Sequence, residues 1–162
     1  MVEIRRATED DWPQMWEIFR AVIAGGDTYV FGPETPEADG HAYWFGPSIR
    51  SFVALDGPAL LGMYKIIANQ RDLGSHVANA SFMVSLGAQG RGIGRTMGLA
   101  ALDQARDLGF TAMQFNFVVS TNEPAVKLWR SLGFEIVGTL PKAFRHRTLG
   151  LVDAYVMYRF LA

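Results

Sequence analysis

The stretch Gln89-Gly90-Arg91-Gly92-Ile93-Gly94, running on into Arg95-Thr96-Met97-Gly98-Leu99, decides how the rest of the chain is read. An alternating apolar segment, Val77 to Val84, precedes it, and an amphipathic helical pattern follows. Glycine lacks a Cβ, so the backbone can turn at positive φ and approach a ligand closely. At the mouth of a helix, unpaired N–H groups converge and the macrodipole adds partial positive charge. Such a loop suits a diphosphate. Each charge-assisted N–H bond is worth about 1.5–3 kcal/mol, so a few of them anchor a nucleotide-like cofactor.

The dinucleotide fingerprint GxGxxG can use Gly92 and Gly94, but its third glycine falls on Met97. It also expects an early first strand and an acidic residue about 20 positions on. A Walker loop needs Gly-Lys-Ser/Thr, where this chain has Gly94-Arg95-Thr96. The pattern Gln89-x-x-Gly92-x-Gly94 instead resembles the coenzyme A loop of the GNAT superfamily of N-acetyltransferases. Alone, it is also compatible with an ordinary strand-to-helix turn. A second stretch removes most of that ambiguity. Asn122-Glu123-Pro124-Ala125-Val126-Lys127-Leu128-Trp129-Arg130-Ser131-Leu132-Gly133-Phe134 resembles the superfamily's other signature helix, with Trp129 where many members carry tyrosine.

At 162 residues, one domain spanning 1–162 is expected, large enough to bury one core. The hydrophobic share is 49%, and no segment has the roughly 18 apolar residues that span a membrane. Met1 to Arg5 lacks the apolar stretch of a signal peptide, so a cytoplasmic location is expected. The absence of cysteine excludes disulfides, thiolate metal sites and an acetyl-cysteine intermediate. A net charge of −1 offers no general attraction for nucleic acid. His41, His76 and His146 lack metal-ligand spacing, so no metal is assigned.

Taken in order, Val2 to Arg6 reads as a first strand and Thr8 as the cap of a helix. In that helix Trp12, Met15, Trp16, Phe19, Val22 and Ile23 share one face, and Gly25-Gly26 ends it. Pro36 starts a short helix to about Trp44, in an aromatic stretch between Asp27 and Pro47 that either covers a pocket or pins itself to the surface. Arg50–Leu55 and Ala59–Ala68 form a hairpin around Asp56-Gly57-Pro58. After the glycine loop comes a helix with Met97, Ala100, Ala101, Ala105 and Leu108 on its apolar face. Leu108-Gly109-Phe110 and Leu132-Gly133-Phe134 read as Schellman endings of two helices around a buried strand, Met113–Val119. Glu135–Gly138 and Val152–Leu161 are the last two strands, joined through a basic loop, Lys142 to Arg147.

This order predicts an α/β fold. The resemblance implies a three-layer GNAT fold, whose mixed, mostly antiparallel sheet splays between its fourth and fifth strands and is flanked by helices. It also implies acetyl-CoA as cosubstrate, lying in that gap. The amides from Gln89 and Gly90 through Arg91, Gly92, Ile93 and Gly94 to Arg95 are assigned to the pyrophosphate, with Arg91 and Arg95 as solvent-side charge. Val84 and Asn122 are assigned to the pantetheine arm.

Acetyl transfer needs a neutral amine, oxyanion stabilisation and a proton for the thiolate. The strand before the loop holds Asn79 and Ser81 where relatives keep a glutamate base. Trp129 is a poor proton source. Proximity and oxyanion binding are therefore expected to dominate. Asn79 and Asn116 are unusual inside strands, and a buried amide must find partners, in the backbone or in a ligand. Gly26-Asp27-Thr28-Tyr29, Val77-Ala78-Asn79-Ala80, Phe115-Asn116-Phe117 and Gly138-Thr139-Leu140-Pro141 resemble the azetidine-2-carboxylate acetyltransferase branch of the superfamily. That likeness implies a small amino acid or analogue as acceptor and a detoxifying role. Asn79, Asn116, Phe117 and Tyr29 would bind the acceptor, with Asn122 and Asn116 at the reaction. The aromatics Tyr29, Phe31 and Trp44 would exclude water. The expected partner is a small-molecule amine, with no nucleic acid and no membrane, and a homodimer is left open. Two other functions stand beside this one, a peptide N-terminal acetyltransferase and a non-catalytic acyl-coenzyme A sensor.

Overall fold

The computed structural model describes residues 1–162. Its strands are β1 (Glu3–Arg6), β2 (Arg50–Asp56), β3 (Ala59–Ala68), β4 (Val77–Val84), β5 (Ala112–Val119), β6 (Glu135–His146) and β7 (Gly150–Phe160). They form one sheet in the order β1-β2-β3-β4-β5-β7-β6. Every neighbouring pair is antiparallel except β4–β5, which is parallel. The helices α1 (Trp12–Ala24) and α2 (Glu37–Phe45) cover one face, and α3 (Ile93–Asp107) and α4 (Glu123–Ser131) the other. No helix is long and apolar enough to cross a membrane.

Alternation along the central strands sorts the core between these layers. Met63 and Met83 pack with Trp12, Met15, Phe19 and Trp44 under α1 and α2. Tyr64, Ile66, Ala78 and Ala80 pack with Met97, Ala101 and Leu102 of α3. Burying a side chain of this size contributes about 1.5–3 kcal/mol. The apolar face read for α3 holds at Met97, Ala101 and Ala105, whereas Leu108 is 36% exposed and Leu102 is buried in its place. Gly98 lets α4 come close, because a Cβ there would lie 2.7 Å from Leu132 Cδ1 and 3.2 Å from Trp129 Cζ3.

The local endings follow their sequence signals. Phe110 N–H donates to Ala105 O and Gly109 N–H to Arg106 O, while Phe134 and Gly133 repeat the pattern on Trp129 and Arg130. Both glycines are left-handed, at φ +89° and +90°, as a Schellman ending requires. The start of α1 differs from expectation. A short 3-10 turn, Glu9–Asp11, comes first, and the carboxylate of Asp11 accepts from Thr8 N–H (2.8 Å) and from both ends of the Arg5 guanidinium (2.8 and 2.9 Å). That guanidinium holds the Asp11 carboxyl below its ordinary range.

The basic segment Lys142–His146, expected in a loop, belongs to the edge strand β6, which pairs with β7 from Glu135 to His146. The apolar alternation breaks at Pro141-Lys142, and Pro has no N–H to give the ladder. The ladder slips there, between Leu140 and Phe144, and resumes at Phe144↔Val152. Lys142, at φ +52°, turns its N–H to Asp153 Oδ1 (2.9 Å).

Candidate active site

The two strands β4 and β5 pair only at Val77↔Ala112, Ala78↔Met113 and Asn79↔Gln114, and then part. At the fork, Asn79 Nδ2 donates to the Gln114 carbonyl (2.9 Å). On β5, two residues, Asn116 and Phe117, stand against one on β7 between Phe115↔Met157 and Val118↔Tyr155. Such a bulge bends a strand and re-aims its side chains. It brings Asn116 and Phe117 both to the opening.

Beyond the fork, β4 has a free edge. Its odd residues face β3, since Val77 O accepts from Asn69 N–H and Ser85 N–H donates to Leu61 O. The peptide groups of Phe82 therefore face the gap. The hydroxyl of Tyr29, from the loop after α1, satisfies both of them. It donates to Phe82 O (2.6 Å) and accepts from Phe82 N–H (3.0 Å). Burial pushes this phenol far above its ordinary pKa, so it stays protonated.

Two cavities meet at this point. A cleft of about 780 Å³ is lined by Val84, Gln89, Gly90, Gly92, Ile93, Gly94 and Pro124, among others. A smaller cavity of about 300 Å³ is lined by Phe31, Tyr43, Asn79, Ser81, Asn116 and Phe117. Thr28, Tyr29, Phe82, Asn122, Ala125 and Trp129 line both. A wall common to two cavities is where groups bound in each would touch.

The cleft's cradle is made of backbone. Gly90 and Gly92 are left-handed, at φ +79° and +78°, and a Cβ on either would point into open space. Gly92 is the N-cap of α3 and has no side chain to cap it, so the N–H groups of Ile93, Gly94 and Arg95 have no partner within the helix. Gly94 has a second constraint, for its Cβ would lie 3.2 Å from Leu128 Cδ2 of α4. The two arginines are held outside the lining. Arg91 lies 3.6 Å from Asp56 Oδ2 and Arg95 donates to Ser131 Oγ (3.0 Å). The dimensions and free amides fit the diphosphate and arm of a coenzyme A thioester.

The smaller cavity is built of side chains already bonded to one another. Tyr43 Oη and Ser81 Oγ are 2.7 Å apart. Asn116 is exposed rather than buried, with Nδ2 donating to Asn69 Oδ1 (2.6 Å) and Oδ1 accepting from Gln114 Nε2 (2.8 Å). Trp44, expected to face the pocket, is fully buried under α2, and Tyr43 takes that place. Asn122 caps α4 loosely, accepting from Ala125 N–H at 3.4 Å, and its amide nitrogen has no protein partner. Trp129 packs its ring 4.7 Å from that of Phe82 and 4.6 Å from that of Phe115. His146 also lines the cleft, with Nδ1 accepting from Thr148 and Leu149 N–H.

Sequence reasoning passed over Lys65, and it placed Tyr43 only within the aromatic stretch between Asp27 and Pro47. Lys65 is buried on β3, directly across from Ser81 on β4. Its signal was a lone charge within the apolar strand Ala59–Ala68.

The chain belongs to the acetyltransferase (GNAT) family, whose sequence profile matches residues 5–134. Among solved structures, a GCN5-related N-acetyltransferase from Kribbella flavida superposes with a TM-score of 0.93 at 43% identity, covering 98% of this chain and 97% of that one. The N-acetyltransferase aca1 of Schizosaccharomyces pombe is 38% identical over 104 residues, 63% of this chain. This chain spans only half of that relative's length. The L-amino acid N-acetyltransferase AaaT of Escherichia coli is 28% identical across 98% of this chain and 97% of its own.

Proposed function

We propose that the chain is an acetyl-CoA-dependent N-acetyltransferase whose acceptor is a small amino acid or amino-acid analogue, the acceptor's amine attacking the thioester carbonyl directly, without an acyl-enzyme, and the coenzyme A thiolate leaving. The observation that carries this reading is the common wall at Tyr29, Phe82, Asn122 and Trp129, between a glycine-cradled cleft and a cavity of about 300 Å³. That volume is at the small end for ligand sites, which suits a compact acceptor and not an extended peptide. The likeness to an L-amino acid N-acetyltransferase over nearly its whole length supports the same acceptor class.

When bound, acetyl-CoA supplies the acetyl group and a thiolate that leaves without a strong acid. The chain's own residues supply position and polarity. The free amides of Ile93, Gly94 and Arg95 would hold the diphosphate, and Val84, which lines the same cleft, would take the arm. The unpartnered Asn122 amide nitrogen is the donor best placed for the developing oxyanion. Asn79 and Asn116, with the peptide of Phe117, orient the acceptor's carboxylate, while Tyr29, Phe31 and Tyr43 keep water out. The common wall carries no carboxylate, and the nearest one lining the cleft is Asp27, so on this reading the amine reaches its neutral form by its own equilibrium with solvent.

A turnover assay detecting free coenzyme A, run over a panel of amino acids, their carboxamides and short peptides, tests the reading. Preference for free amino acids is the expected result. Equal turnover of acceptors lacking a carboxylate overturns it in favour of a peptide acceptor, and no turnover with any amine favours an acyl-coenzyme A sensor.

A further inference from the structure

Two side chains of the charged types are buried in this molecule, and they are treated differently. Asp11 is 6% exposed and held by Arg5. Lys65 is also 6% exposed, and no ion pair in the molecule includes it. Its Nζ donates to the Tyr43 carbonyl (3.0 Å) and sits 3.2 Å from the centroid of the Tyr43 ring. Its two cross-strand neighbours are serines, Ser51 and Ser81. Ser51 Oγ donates to Trp44 O, and Ser81 Oγ is bonded to Tyr43 Oη. An ammonium buried without a counter-ion is costly, and an anion bound nearby would offset that cost.

The place of that anion follows from the register. Lys65 pairs with Ser81 and Ile67 with Asn79, so Lys65 lies on the face of the sheet that carries Ser81 and Asn79. Ser81, Asn79 and the covering Tyr43 all line the smaller cavity. The charge therefore stands directly behind the wall of the acceptor site.

We propose that Lys65 is a specificity-determining residue: its ammonium, behind Tyr43 and beside Ser81, selects an acceptor that carries a carboxylate next to its amine. This rests on the acceptor reading above and gives it a residue that neither signature motif contains. Lys65 does not touch the reacting atoms. It acts through the field it places on the cavity, and the cation–π contact keeps it there. Burial lowers its pKa to about 8, which leaves it charged at neutral pH.

The test uses the amino acid that turns over fastest in the panel and the carboxamide of the same amino acid, at pH 7.0. In Lys65→Met, the KM for the amino acid should rise about tenfold, with kcat, the KM for the carboxamide and the KM for acetyl-CoA unchanged. Lys65→Arg should restore most of the discrimination. If Lys65→Met does not fold, Lys65→Gln is read the same way. Equal changes for amino acid and carboxamide, or no change in either, overturn the proposal while leaving the acceptor reading intact. A wild type that acetylates no amino acid instead sinks the acceptor reading itself.

Discussion

The cleft proposed for the cofactor and the cavity proposed for the acceptor share a wall, yet they are built from different material. The cleft presents peptide groups: left-handed Gly90 and Gly92, and the unpaired amides that open α3. The two arginines of its loop are turned away, to Asp56 and Ser131. The cavity presents side chains from the loop after α1, from α2, from β4 and from β5. Its polar groups are bonded mostly to one another. A backbone-built site recognises what all its ligands have in common, and truncating its side chains should matter little. A side-chain-built site can change its ligand by single substitutions.

The difference is broken most severely at the common wall. Asn122→Ala removes the uncommitted amide and should lower kcat by about a hundredfold, the usual loss for one oxyanion donor. Binding of acetyl-CoA, measured by calorimetry, should stay within a few-fold, and the loose cap at 3.4 Å implies little loss of stability. A variant that turns over normally would remove Asn122 from the chemistry.

On the cleft side the contrast is between adding a Cβ and removing a charge. Gly92→Val places a β-branched residue at φ +78° and a methyl-bearing carbon in the open space of the cradle. Acetyl-CoA affinity should fall at least about tenfold, or roughly 1.4 kcal/mol. Arg91→Ala, by comparison, should cost no more than about threefold, lost at higher salt as an exposed ion pair would be. If Arg91→Ala is the worse of the two, the cleft is not backbone-built.

On the acceptor side, Asn79→Ala and Asn116→Ala separate a half-buried amide at the fork from an exposed one on the rim. Asn79 also ties β4 to β5 through Gln114, so its loss should raise the acceptor KM roughly tenfold and lower stability by about 1 kcal/mol. Asn116→Ala should give the smaller effect on both measurements. Reversal of that order would place the carboxylate at the rim.

The difference in material also explains how much was legible in the sequence. Backbone sites leave a spacing pattern, because glycine is required at particular positions, and Gln89 to Gly94 displayed one. Both Schellman endings could be read for the same reason, and the order of elements along the chain from its apolar periodicity. The smaller cavity was legible only in part: Tyr29, Phe31, Asn79, Asn116 and Phe117 were named for it, mostly through the family resemblance, but their partners meet only in three dimensions. Tyr29 reaches Phe82, Tyr43 reaches Ser81, and Lys65 lies beneath Tyr43, with no fixed spacing among them. The bulge at Asn116-Phe117 left no trace in the apolar pattern, and Pro141-Lys142 hid the length of β6 by breaking that pattern.

Lys65 also gives the comparison a pH signature. Its pKa is about 8 in the folded protein, lowered by burial, against an ordinary 10.5 when unfolded. Between those values the unfolded chain binds the extra proton, so stability rises with pH across the window and the penalty is full below 8. The groups facing Lys65 are Tyr43 from α2 and the serines of β2 and β4, with no carboxylate. Urea unfolding at pH 7.0 and 9.5 should show the wild type gaining about 1–2 kcal/mol relative to Lys65→Met. A gain shared by the variant would show that another group is responsible.

The smallest effect is expected at Trp129, where the two sites touch and the family signature departs from tyrosine. Its ring is 8% exposed, packed against Phe82, Phe115 and Phe134, with Gly98 of α3 close beneath it. Its Nε1 makes no hydrogen bond to the protein, and an indole N–H is too weak an acid to protonate a thiolate. The ring thus serves as wall and packing. Trp129→Phe keeps the aromatic stack and loses the pyrrole edge, at a cost of about 1–2 kcal/mol in stability. Turnover should remain within about threefold of wild type, with acetyl-CoA binding unchanged. Trp129→Tyr, which restores the hydroxyl of the signature, should not raise kcat if thiolate departure is not limiting. A loss of more than about a hundredfold in a folded, cofactor-binding Trp129→Phe would assign the indole N–H a direct part in the reaction. It would then make the common wall, and not the acceptor cavity, the place where side chains decide the chemistry.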